Sequence, residues 1–139
     1  MKRIICDTGP LVGLLHKDDQ WSKWAAEQSK NFQPPLRTCE IVVAEANFLL
    51  KRLPNGVENL LRLIEDGYLE ISISMPSLNH DGALRKLLNK YSDTPMSLAD
   101  ACLVRMSEIY DNASVFTVDS DFLIYRKNGR KKIPLISPF

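Results

Sequence analysis

Short apolar runs of β-type composition alternate along this chain with longer amphipathic segments, and that alternation leaves few folds open. Lys2 to Cys6 reads as a strand, and Asp7-Thr8-Gly9-Pro10 turns it into a brief apolar helix ending near His16. A second helix, capped by Asp18 or Asp19, runs to about Lys30, and Gln33-Pro34-Pro35 separates it from a short strand near Leu36 to Thr38. Helices follow over Glu40 to Arg52, ended by Pro54-Asn55-Gly56, and over Val57 to Asp66, ended by Gly67. Leu69 to Ser74 has strand-like composition, and Ser77 to Tyr91 and Ser97 to Tyr110 read as helices. Val115 to Val118 is a strand, Asp119 to Arg126 a helical turn, and Ile133 to Ile136 a last strand. The expected architecture is α/β, a parallel sheet covered by helices on both faces, with its site at the carboxyl ends of the strands. With no repeat and no dividing linker, 139 residues read as one domain, 1–139.

Several classes are excluded early. MKRIIC resembles the start of a signal peptide, but Asp7 interrupts the apolar run and no cleavage site follows. No apolar stretch approaches the ~20 residues that cross a bilayer, so the expected setting is cytoplasmic. Cys6, Cys39 and Cys102 are odd in number and widely spaced, and with only His16 and His80 beside them they spell neither a disulfide framework nor a zinc site. The cysteines are expected to pack as small apolar residues and the histidines to lie at the surface.

Acidic residues carry the chemistry. Asp7 ends the first strand and Asp119 a late one, so both arrive at one edge of the sheet if those strands are neighbours; each could equally cap the helix that follows. On a helical wheel Glu45 falls between Ile41, Phe48 and Leu49, in the most apolar stripe of its helix, where a carboxylate needs a counter-ion or a proton. Asp100, in Ser97-Leu98-Ala99-Asp100, occupies the acidic position of a capping box. Converging carboxylates repel unless a cation offsets them, and an all-oxygen set suits Mg²⁺ or Mn²⁺ better than zinc. Such ions serve phosphodiester hydrolysis. Thr8 and Thr117, next to key acids, could hydrogen-bond a metal-bound water or phosphate, or be an ordinary turn hydroxyl and a strand threonine.

IICDTGPLVGLL, VVAEANFLL, PMSLADACLVRM and VFTVDSDFLIYR, in that order, resemble the PIN-domain nucleases, the family that includes the VapC-type toxins of toxin–antitoxin pairs. The resemblance extends over nearly the whole chain. It implies a three-layer α/β/α sandwich, Asp7, Glu45, Asp100 and Asp119 as the catalytic metal-binding acids, and Asp121 as an auxiliary or substitute for Asp119. It also implies Mg²⁺- or Mn²⁺-dependent cleavage of RNA, usually single-stranded, a homodimer, and an antitoxin partner for members that are toxins.

Net charge is +1, but Arg126, Lys127, Arg130, Lys131 and Lys132 crowd into one segment free of acids. That run is a candidate RNA-binding surface, with a solvated loop as the alternative. Trp21 and Trp24, three apart, suit core or interface packing better than base stacking. Two other functions compete: a catalytically inactive PIN module that binds RNA or a protein, and a phosphoacceptor receiver domain. The second lacks its acid, because Leu69 to Ser74 leads into Met75-Pro76 with no Asp.

Overall fold

A computed structural model describes residues 2–139. Five parallel strands form the central sheet: β1 (Arg3–Cys6), β2 (Leu36–Arg37), β3 (Leu69–Glu70), β4 (Ala113–Phe116) and β7 (Leu135–Ile136), in the order β3-β2-β1-β4-β7. Helices flank the sheet, giving the expected α/β sandwich. β1 and β4 sit in the middle, and their apolar runs (Ile4, Ile5 and Cys6; Ala113, Val115 and Phe116) are buried, as strands covered on both faces require. The outer strands β3 and β7 keep only two paired residues each.

Among the described residues seven α-helices accompany the sheet: α1 (Thr8–Leu15), α2 (Ser22–Ser29), α3 (Glu40–Leu50), α4 (Gly56–Glu65), α5 (Met75–Leu78), α6 (Ala83–Lys90) and α7 (Leu98–Ile109). α7 is the most deeply set, with Ala99, Ala101, Cys102, Leu103, Val104 and Met106 all buried. Trp24 packs on Phe116 with ring centroids 5.3 Å apart, and Trp21 meets Trp24 edge-on at 6.2 Å, so the pair belongs to packing. All three cysteines are buried and free.

The expected element boundaries need four corrections. Only Leu69–Glu70 of the predicted strand is paired; Ser72 and Ser74 are exposed, and Ser74 instead caps α5. The helix expected over Ser77 to Tyr91 is broken, because Asp81 (φ 55°) and Gly82 (φ 71°) adopt left-handed backbone between α5 and α6. β4 lies two residues earlier than Val115 to Val118. The basic segment is not a loop: β5 (Arg126–Lys127) and β6 (Lys131–Lys132) form an antiparallel hairpin, turning through Asn128 (φ 51°) and Gly129 (φ 85°).

From β1 the strands build outward through β2 and β3, and β4 then lies on the other side of β1. The strand order therefore reverses between β1 and β4, and in parallel sheets sites form beyond the carboxyl ends of the strands at such a point.

Candidate active site

β1 and β4 pair in register from Arg3↔Ala113 to Cys6↔Phe116, so Asp7 and Thr117 leave the sheet side by side at its carboxyl edge. The Thr117 hydroxyl donates to Asp7 Oδ2 at 2.7 Å, and its oxygen accepts the Asp119 backbone N–H at 3.0 Å. Asp7 Oδ1 accepts the Thr8 N–H at 2.7 Å, capping α1. Asp119 Oδ1 accepts the Asp121 N–H at 2.9 Å and caps a 3₁₀ turn over Ser120–Leu123. Capping and site placement are therefore one arrangement: the cap bonds aim the carboxylates.

Asp100 completes the capping box with Ser97, its Oδ2 accepting the Ser97 N–H at 3.2 Å. The same oxygen accepts the hydroxyl of Tyr125 at 3.0 Å. Tyr125 is fully buried, wedged edge-on between Tyr91 and Phe122, and its hydroxyl reaches its partner from a rigid aromatic cluster. Sequence reasoning missed Tyr125; the signal was a tyrosine whose burial would oblige its hydroxyl to find an acceptor. Removing that hydroxyl in Tyr125→Phe is expected to cost about 1–2 kcal/mol in chemical denaturation while the fold is kept.

Burial pushes the Asp7 carboxyl up to about 6 against the bonds from Thr117 and Thr8, and the nearby Asp100 and Asp119 charges add to the rise. Asp100 is raised too, first by burial, with Asp119 adding repulsion. Among the described residues no Lys, Arg or His forms an ion pair with Asp7, Glu45, Asp100 or Asp119. The structure thus gathers three mutually repelling aspartates with no ion-pair partner among the described residues.

Glu45 is not where its helical wheel suggested. Val42, Ala46 and Leu50 are the residues of α3 that face the core, whereas Glu45 is exposed, on a face shared with Phe48 (62% exposed) and Leu49 (54% exposed). The smaller Val42 and Ala46 let α3 approach the core closely, and the bulkier stripe is left outside. Glu45 still reaches the rim of the site, because its Oε2 accepts the Thr8 hydroxyl at 3.3 Å. Both threonine hydroxyls are therefore committed to carboxylates. Asp121 is half-buried beside Asp119, its carboxyl raised by desolvation and by that neighbour.

The PIN-domain family matches residues 4–128, a span containing every one of these acids. The chain belongs to the PIN-domain family. Among solved structures, this PIN domain is similar to the Mycobacterium tuberculosis VapC20, a sarcin–ricin loop cleaving toxin. The TM-score is 0.74, with 16% identity, over 85% of this chain and 91% of that one. At that identity the likeness is one of fold. No curated protein sequence matches the chain.

Whether these residues suit a metal ion is decided by charge and donor type. Asp100 Oδ1 and Asp119 Oδ2 accept no protein hydrogen bond among the described residues, and hard carboxylate oxygens near uncompensated charge are what Mg²⁺ or Mn²⁺ prefers. No three His, Cys, Asp or Glu side chains among the described residues close into a ready coordination group. The donor set of this PIN domain therefore fits a cation in chemistry, with part of the shell left to water. Thr117→Val, which removes the tie between Asp7 and Asp119, is expected to lower stability by about 2 kcal/mol and to weaken divalent-cation affinity at least tenfold in calorimetry.

Proposed function

We propose that this PIN domain is a metal-dependent endoribonuclease that hydrolyses RNA phosphodiester bonds. The observation that carries the reading is the convergence of Asp7, Asp100 and Asp119 beyond the carboxyl ends of β1 and β4, with no ion pair to neutralise them among the described residues. Asp7, Asp100 and Asp119 would hold the ion, and Glu45 and Asp121 would flank it. Mg²⁺ or Mn²⁺, when bound, supplies Lewis acidity and a water of lowered pKa. The protein's own part is positioning. Thr117 keeps Asp7 and Asp119 in fixed relation, Ser97 and Tyr125 hold one oxygen of Asp100, and Thr8 ties Glu45 to the α1 cap. Glu45, exposed at the rim, would meet the substrate.

The proposal extends to the role of toxin in a toxin–antitoxin pair, which the likeness to a VapC toxin supports. No helix of the described residues is long and apolar enough to cross a membrane, which accords with action in the cytoplasm. The exposed apolar face of α3, with Ile41, Phe48 and Leu49, suits a protein partner, a second copy of the chain in a homodimer or an antitoxin.

The test is cleavage of single-stranded RNA and of a ribosomal RNA stem-loop by purified protein, with EDTA, Mg²⁺ or Mn²⁺. Cutting only with added metal is expected, and undiminished cutting in EDTA would refute metal dependence. An inactive, RNA-binding PIN module is the second reading, favoured by the absence of a closed ligand group among the described residues. RNA binding without cleavage by any substrate or metal would establish it. Expression of the chain alone is expected to arrest growth, and harmless expression of soluble, active enzyme would remove the toxin role.

A further inference from the structure

The β5–β6 hairpin places like charges directly opposite one another: Arg126 faces Lys132 and Lys127 faces Lys131. Cross-strand pairs of like charge destabilise a hairpin, so a sequence that keeps two of them is shaped by something beyond its own folding. The five cations are not equivalent. The Arg126 guanidinium is spent on the chain itself, with Nη1 donating to the carbonyls of Leu123, Ile124 and Tyr125 at 2.8, 3.2 and 3.1 Å. Lys127 is half-buried and donates to the Ser107 carbonyl at 3.4 Å. Arg130, Lys131 and Lys132 are exposed, and their side chains have no hydrogen-bond or ion-pair partner among the described residues.

The hairpin is also held rigidly against the site. Its first residue follows Tyr125, whose hydroxyl touches Asp100, and the Arg126 N–H donates to the Tyr91 hydroxyl at 2.8 Å. Its turn is pinned further along α7, where the Asn128 N–H donates to Glu108 Oε2 at 2.7 Å, and from the end of α6, where Lys90 Nζ donates to the Gly129 carbonyl at 2.8 Å. Asp100 and Glu108 are eight residues apart on α7, roughly 12 Å of helix, so the hairpin runs from the acid cluster down the side of that helix. Stacked nucleotides rise ~3.4 Å each, so the distance corresponds to a few phosphates.

We infer that Lys132, Lys131 and Arg130 form a phosphate track that carries an RNA strand away from the acid cluster along α7, while Arg126 and Lys127 hold the hairpin and not the RNA. The inference rests on the ribonuclease reading and adds a direction to it. The strand passes Lys132 first, because Lys132 pairs with the end of the hairpin nearest the site, and Arg130 last. Binding of a polyanion relieves the cross-strand repulsion, which links the unfavourable pairing to the ligand that offsets it.

The experiment is equilibrium binding of a labelled single-stranded RNA to the full chain in EDTA, over a series of salt concentrations. Each phosphate neutralised contributes about 0.7 to the slope of log K against log salt, so replacing Arg130, Lys131 and Lys132 together by Ala is expected to reduce the slope by about 2. Lys127→Met, and Arg126→Ala if it remains folded by circular dichroism, should leave the slope unchanged. A matched triple replacement of Lys17, Lys23 and Arg52, exposed cations outside the hairpin, should leave it unchanged too. An unaltered slope in the hairpin triple variant, or an equal loss in the matched triple, overturns the track. If RNA is still cut with metal in that case, the ribonuclease reading stands without it; a wild type that neither binds nor cuts RNA removes both.

Discussion

Asp7→Asn is expected to abolish RNA cleavage, by at least about a hundredfold, and at the same time to raise the melting temperature of the metal-free protein. The two effects share a cause. Asp7 holds its proton up to about pH 6 in the folded chain, against 3.8 in the open. Because the folded value is the higher one, ionisation works against folding: the penalty is absent below pH 4, grows as pH rises, and is complete above about 6. A rise of about two units corresponds to about 3 kcal/mol. Asn removes that penalty but leaves the Thr117 hydroxyl proton without an acceptor, at about 1 kcal/mol, so the net gain at pH 8 is about 2 kcal/mol. Thermal melts in EDTA should show a gain of several degrees at pH 8 that shrinks towards pH 4. A variant less stable than wild type at pH 8 would mean that Asp7 is not held against its own charge. Divalent cation should reverse the order, since it stabilises the wild type alone.

The largest loss of stability is expected from a methyl group placed far from the chemistry. A Cβ at Gly56 would lie 2.2 Å from the Leu50 carbonyl oxygen and 3.1 Å from its carbon, and those atoms are backbone. The Leu50 carbonyl already accepts the Leu53 N–H at 3.0 Å in the turn joining α3 to α4, so the strain cannot be absorbed by rotating a side chain. Gly56→Ala should therefore cost about 3 kcal/mol or more and lower the melting temperature by roughly 10 °C. Gly67→Ala is the control. Nothing lies within 4 Å of its added methyl, and only its positive φ of 75° is unfavourable, so a loss of about 1 kcal/mol is expected. Equal melting temperatures for the two variants would contradict the close approach of α3 and α4.

The parts of the fold legible in advance were those set by local order. Asp7 and Asp119 could be placed at one edge because each follows an apolar β run, and the hydrophobic alternation was enough to predict the parallel sheet. Glu45 was misplaced for a physical reason. Periodicity identifies an apolar stripe on α3 but not which of two stripes meets the core, and that choice depends on side-chain volume against neighbours distant in sequence. Tyr125 was invisible for a related reason, because its partner Asp100 is 25 residues away and nothing local marks the pair. The hairpin was hidden by its charge: five cations in seven residues obscure the alternation that marks a strand, although Asn128-Gly129 is a standard turn pair.

The order of strands in the sheet also bears on when the site can exist. β1 and its partner β4, which brings Thr117 and Asp119, are separated by more than a hundred residues. A nascent chain can bring β2 and β3 beside β1 and still leave Asp7 without the hydroxyl that orients it. Contacts of such sequence separation form late and slowly. The site is assembled only once β4 has joined β1, so a fragment that stops short of α7 carries Asp7 and Glu45 but none of the residues that complete the site.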